Sequence, residues 1–130
     1  MKILGIGVDI IKNERIRKLI KSNKFRSRIY TINEIKLSKK TKDKVAFFSK
    51  RFAAKEAFSK ALGTGFSSNL NFKDIEIIND KKGMPKYSEN KKIIKIVQKK
   101  YKVKKFNSFL SISDEKDYST AFAIIESTWS

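Results

Sequence analysis

Glu56 and Lys60 stand four residues apart in the segment Arg51 to Lys60, RFAAKEAFSK, and Phe52 lies four residues before Glu56. On a helix that spacing puts all three on one face. A second acid, Asp9, closes the glycine-bearing apolar run LGIGVD. If that run is a strand ending beside the helix, two acids and a lysine converge. Two hard oxygen ligands next to a cation suit a divalent metal and phosphate chemistry. Each residue also has an ordinary reading. A Glu four residues before a Lys supports a helix by about 0.2–0.5 kcal/mol, and an Asp at a strand end can cap the next helix.

The elements needed to position these residues are readable from periodicity. Residues 2 to 11 predict a strand, with Leu4, Ile6 and Val8 on one face and Ile3, Gly5, Gly7 and Asp9 on the other. Two glycines strip the Asp9 face of side chains, so a helix or ligand can approach closely. A basic amphipathic helix follows, with Ile16, Leu19 and Ile20 inward. Thr31 and Glu34 have the spacing of a capping box. Val45 to Leu62, free of Gly and Pro, predicts the longest helix, with Phe48, Phe52 and Ala53 inward and Gly63 as its stop. A strand is expected at Asp74 to Ile78, a turn at Asn79 to Pro85 and a short strand near Lys86 to Ser88. A basic helix is expected at Ile93 to Tyr101, then a hairpin of Ser108 to Ser113 and Ser119 to Glu126. One strand, then helices, then mostly strands predicts a single α+β domain over 1–130, a small mainly antiparallel sheet against the long central helix.

Composition narrows the chemistry. The chain has 130 residues, enough for one core, and 40% are hydrophobic. It has neither cysteine nor histidine. That excludes disulfides, thiolate nucleophiles, a Ser-His-Asp triad and His-based zinc sites within this chain, and it fits a reducing cytoplasm. The N-terminal apolar run is too short for a signal peptide and no stretch is long enough to span a membrane. The expectation is a cytoplasmic protein with no membrane. The net charge of +18 attracts polyanions, although lysine is spread throughout, as in a lysine-rich proteome.

The segments GIGVDI…ERI, RFAAKEAFSKALGTG and SIS…DYSTAFAIIE, from Gly5 to Glu126, resemble the holo-acyl-carrier-protein synthase family of 4′-phosphopantetheinyl transferases. The resemblance implies transfer of the phosphopantetheine arm of coenzyme A to a serine of apo acyl carrier protein, for fatty-acid synthesis. It implies that Asp9 and Glu56 hold Mg²⁺ and that Lys60 faces the pyrophosphate, with Glu56 the candidate base. It places Gly63, Gly83, Pro85 and Ser111 along coenzyme A, with Lys81, Lys82 and Lys86 as candidate partners of its 3′-phosphate. Gly63 reads equally as a plain helix stop, while the GTGFSS loop after it is a candidate phosphate cradle. Arg15, Lys24, Phe25 and Arg28 fall where the carrier protein docks, and a homotrimer with sites at subunit boundaries is implied. One departure stands out: after S-I-S the family carries histidine and a hydroxyl residue, and here Asp114 and Glu115 occupy those places. Two other readings follow. One is a degenerate homologue that binds coenzyme A or carrier protein without turnover. The other is a non-enzymatic basic nucleic-acid-binding protein, which leaves Asp9 and Glu56 without a role.

Overall fold

A computed structural model of the chain describes residues 1–66 and 69–128. Strand β1 (Lys2–Lys12) pairs antiparallel with β5 (Tyr118–Ser127), which pairs antiparallel with β4 (Phe106–Asp114), in the order β1-β5-β4. Between β1 and β4 run five helices: α1 (Asn13–Leu19), α2 (Asn23–Ile29), α3 (Ile32–Ser38), α4 (Lys44–Leu62) and α5 (Lys91–Tyr101). A second, two-stranded sheet joins β2 (Ile77–Asn79) to β3 (Pro85–Tyr87). Among the described residues no helix is long and apolar enough to cross a membrane.

The α+β architecture expected from the order of elements is the one observed, and α4 is its centre. Asp43 caps the helix by accepting from the Ala46 amide at 3.0 Å, and Gly63 ends it in the left-handed region at φ 75°. Phe48, Phe52 and Ala53 are buried as expected, but so are Ala54, Lys55, Ala57, Phe58 and Ser59. A helix buried nearly all round lies inside the domain rather than on it. The sheet covers one side; α1, α3 and β2 close on others. Gly5 and Gly7 explain the close fit. A Cβ at Gly5 would collide with the carbonyl of Ala61, and one at Gly7 with the carbonyl of Ala57. What approaches the stripped face of β1 is therefore the helix itself.

Three local expectations are corrected. The basic segment after Asp9 is two helices, not one, because Ser22 caps a new start by accepting from the Phe25 amide at 3.2 Å. The strand expected at Asp74 begins only at Ile77, since Phe72–Asp74 forms a 3-10 turn in which Asp74 accepts from the Asn71 amide at 2.8 Å. α5 starts at Lys91, two residues early, because Asn90 caps it through the Ile93 amide at 2.9 Å. The Thr31–Glu34 capping box forms as spaced, and the expected turn before Pro85 closes around Asp80, with Gly83 at φ 85°.

The outer face of the sheet is unusual for a domain this small. Ile6, Val8 and Ile10 of β1 are 56%, 55% and 65% exposed, and Phe109 and Phe122 are 49% and 40% exposed. These side chains alternate with the buried ones, so they form one continuous apolar face.

Candidate active site

Asp9 and Lys60 meet because β1 lies along α4 with its glycines against the helix. Lys60 Nζ donates to Asp9 Oδ1 at 3.1 Å and to the Val8 carbonyl at 3.0 Å. The ammonium carries three donors, so one stays uncommitted among the described residues, and the side chain is 51% exposed. Asp9 is held more firmly, at 14% exposure. The helical Glu56–Lys60 ion pair allowed by spacing does not form among the described residues: Lys60 reaches across to β1 instead. Glu56 joins the group electrostatically. Burial, then the Asp9 charge, push its carboxyl above the ordinary range, while Lys60 and Arg15 pull it back.

Two carboxylates that repel one another, with a lysine on one of them, form a hard-oxygen site that a divalent cation would relieve. No cluster of three acids, histidines or cysteines fit to hold a metal exists among the described residues. The donor set therefore fits a metal that takes its remaining ligands from water and substrate phosphate, the habit of Mg²⁺.

Gly83 and Pro85 lie elsewhere, on a cleft of about 480 Å³ shared with Lys40, Lys50, Arg51 and Asp114. Arg51 is the residue that sequence reasoning passed over. Its side chain is 5% exposed and its guanidinium lies 3.9 Å from the centre of the Phe47 ring. Nε and Nη2 have no hydrogen-bond partner among the described residues. Burial lowers its pKa, with Glu34 and Tyr30 opposing, yet a guanidinium stays charged. A buried cation with unpaired donors is an uncompensated charge at the cleft wall, which an anion in the cleft would offset. Lys81, Lys82 and Lys86 are exposed and are not among the residues lining this cleft. Asp114, the departure from the family pattern, lies 4.0 Å from Lys50. An acid balanced by a neighbouring cation is less hostile to an anionic ligand than an isolated one.

Of two further expected coenzyme A contacts, Gly63 lies next to Lys60 with its amide already paired, and Ser111 lies on the other face of the sheet. The Gly63 amide donates to the Lys60 carbonyl at 2.9 Å, and that of Gly65 to the Ser59 carbonyl at 3.3 Å. Both are spent on the helix end rather than presented as a phosphate cradle, and Ser67 and Ser68 of that loop lie outside the described residues. Ser111 pairs with Phe122 on the outer sheet face, away from α4 and from Asp9. Alternation along β4 puts it there, because Leu110 and Ile112 take the helix side.

Of the expected docking residues, Arg15, Lys24 and Arg28 are exposed on α1 and α2. Phe25 is half-buried, its ring stacked 6.4 Å from Phe52 and edge-on to Tyr30 at 6.2 Å. Arg15 is close enough to Glu56 to lower its pKa, so α1 flanks the carboxylate pair.

A second lysine of α4 went unread. Lys55 is wholly buried and donates to Glu34 Oε1 at 2.8 Å, the Ile75 carbonyl at 2.6 Å and the Phe72 carbonyl at 3.1 Å. Glu34, equally buried, also accepts from the amides of Thr31 at 2.9 Å and Ile77 at 3.0 Å. Glu34 therefore does more than close the capping box that its spacing predicts. Burial lowers the Lys55 pKa and Glu34 opposes that shift. The signal was present: Lys55 follows Phe48 by seven residues and Phe52 by three, on the inward stripe.

Comparison with known proteins matches the sequence and the fold. The family profile of the 4′-phosphopantetheinyl transferase superfamily matches residues 5–123. The chain is 60% identical over 126 residues to the holo-[acyl-carrier-protein] synthase of Pelagibacter ubique (strain HTCC1062), covering 97% of this chain and 98% of that one. Among solved structures, a holo-(acyl-carrier-protein) synthase from Bacillus anthracis str. Ames in complex with CoA (3′,5′-ADP) superposes with a TM-score of 0.81 at 38% identity, covering 98% of this chain and 100% of that one. The Helicobacter pylori holo-[acyl-carrier-protein] synthase in complex with coenzyme A gives a TM-score of 0.77 at 32% identity, covering 93% and 99%. The chain belongs to the holo-[acyl-carrier-protein] synthase family of the 4′-phosphopantetheinyl transferase superfamily.

Proposed function

We propose that this chain transfers the 4′-phosphopantetheine arm of coenzyme A to a serine hydroxyl of apo acyl carrier protein, releasing adenosine 3′,5′-bisphosphate. The observation that carries the reading is the convergence of Asp9, Glu56 and Lys60, on a fold shared with relatives named for this reaction. Asp9 and Glu56 would hold Mg²⁺, which when bound neutralises charge developing on the phosphoryl oxygens.

The chain's own residues supply the rest. The serine oxygen attacks the phosphorus nearest the pantetheine arm, and the P–O bond to the nucleotide-side phosphate breaks. The serine proton passes to Glu56, whose raised pKa suits a base. Charge builds on the leaving phosphate beside Lys60, where the uncommitted third donor of the ammonium meets it. The nucleotide end of coenzyme A lies in the cleft of Gly83 and Pro85, its 3′-phosphate beside the Arg51 guanidinium. Acidic carrier protein docks on Arg15, Lys24, Phe25 and Arg28, steered by opposite fields that weaken with salt.

The homotrimer is part of the same reading. The apolar outer face of Ile6, Val8, Ile10, Phe109 and Phe122 supports burial against other copies. Ser111 lies on that face, so in a trimer it would serve a neighbour's site. The absence of cysteine supports a cytoplasmic setting.

Mixing apo carrier protein, coenzyme A, Mg²⁺ and the purified chain should add the mass of one phosphopantetheine arm to the carrier protein. No gain at any enzyme concentration would sink the transferase reading. Sedimentation tests the assembly: Val8→Asp should convert a trimer to monomers, and an already monomeric wild type would refute it.

A further inference from the structure

We infer that Asp114 sets how strongly this chain discriminates for a phosphomonoester at the nucleotide end of its ligand, by competing with that phosphate for Lys50. The inference rests on the nucleotide being seated in the Arg51 cleft, and it goes beyond that seating to its selectivity.

Three cations line the cleft, Lys40, Lys50 and Arg51, and the one acid among the lining residues is Asp114. Arg51 is 5% exposed, with Nε and Nη2 buried and unpaired, so its charge is uncompensated and favours an anion in the cleft. Lys50 is different. Its contact with Asp114 Oδ1 is long, at 4.0 Å, and the two side chains are 35% and 38% exposed. A pair of that length is not saturated, so Lys50 can turn to a ligand's phosphate. When it does, the carboxylate is left facing a dianion.

The backbone that carries the acid is fixed. Asp114 is the last residue of β4, paired with Ser119 of β5. The hairpin beyond it is tied down by Asn13, which donates to the Glu115 and Lys116 carbonyls at 3.0 Å each and accepts from Ser119 Oγ at 2.7 Å. The Glu115 amide is closed onto the Tyr118 carbonyl at 2.8 Å. A carboxylate on a floppy loop would be carried away from an incoming phosphate; this one hangs from a backbone anchored at the cleft. The result is a built-in repulsive element, which lowers selectivity for ligands that carry the extra phosphate while sparing those that lack it.

The test is calorimetric binding of adenosine 3′,5′-bisphosphate and of adenosine 5′-monophosphate to the full chain. Asp114→Asn keeps the shape and removes the charge. It should tighten the bisphosphate about tenfold, the scale of one charge-assisted contact, and leave the monophosphate within about twofold. Lys50→Gln should remove most of that gain when combined with Asp114→Asn. Glu115→Gln, one residue along and not among the cleft-lining residues, should leave the ratio unchanged. Equal changes for both nucleotides, no change for either, or an equal shift with Glu115→Gln would overturn the inference. If wild type and Asp114→Asn bind neither nucleotide while transfer proceeds, the cleft assignment and this inference fail and the transferase reading stands. If transfer fails but the ratio shifts as expected, the inference stands alone.

Discussion

Lys55 and Lys60 sit five residues apart on one helix, each against a carboxylate from another element, and they do opposite work. Five residues turn the helix by ~140°, so the two lysines look in different directions. Lys55 faces the interior, where Glu34 and two carbonyls take all three of its donors and nothing is exposed. Lys60 faces an opening, with one donor uncommitted and half its side chain in solvent. A saturated, buried pair ties α3 and the 72–77 segment to α4, and so holds the helix in rotation. An unsaturated, open pair can exchange its partner for a phosphate. Saturation, rather than residue type, separates the pair that only builds from the pair still free to take a ligand.

The largest effect should come from breaking the buried pair. Lys55→Met leaves Glu34 charged and without its cation, and should destabilise the fold by about 3–5 kcal/mol in urea unfolding. Removing both charges in Glu34→Leu with Lys55→Met should recover much of that loss, because two desolvated charges disappear together. A single variant within about 1 kcal/mol of wild type would show that Lys55 is not structural, and the contrast would collapse. Next in size is the carboxylate of the open site. Asp9→Asn should lower the transfer rate by about 10²–10³-fold, the scale for loss of a group that stabilises transition-state charge. Its urea midpoint should move little, since an exposed lysine can turn to water. A collapse in stability matching the loss of rate would reclassify Asp9 as a second structural pair.

The open half of this contrast was legible in sequence, and the buried half was not. Asp9, Glu56 and Lys60 are readable because each is an oddity in its own segment: an acid ending an apolar strand, and an acid and base on a helix face. Gly5 and Gly7 announced a close approach, and α4 meets them. The Lys55–Glu34 pair hides because its members are 21 residues apart and Glu34 already had a local job as a cap. Periodicity says that Lys55 faces inward; it does not say which acid waits there. Arg51 was hidden for a related reason, since the Phe47 ring and the 79–85 turn that shape its cleft come together only in three dimensions. Asp74 misled because a short side chain that closes its own turn looks, in the pattern, like the start of a strand.

A smaller effect is expected at Lys60 itself. Lys60→Gln keeps a donor but loses the charge, and should slow transfer by about 10- to 100-fold, the value of one charge-assisted contact in the transition state. Stability should fall by no more than about 1 kcal/mol, the range for an exposed pair. Added cation in the form of Mg²⁺ should not restore the rate if, as proposed, the lysine acts on the leaving phosphate rather than on the two carboxylates. Full recovery at high Mg²⁺ would place Lys60 in charge balance alone.

The smallest effect comes from a third pair, and it isolates what the comparison turns on. Arg17 Nε lies 3.0 Å from Glu14 Oε2, between the 2.8 Å of Lys55–Glu34 and the 3.1 Å of Lys60–Asp9. By distance the three pairs are alike. By surroundings they are not, because Arg17 and Glu14 are 58% and 60% exposed and sit one turn apart on a single helix. Water screens both charges, and neither loses hydration on pairing. Arg17→Gln should therefore change the urea stability by less than about 0.5 kcal/mol. A loss comparable to that of Lys55→Met would mean that separation decides the strength of these contacts. With separation nearly constant across all three, the expected spread in effect can come only from desolvation and from how many donors remain free.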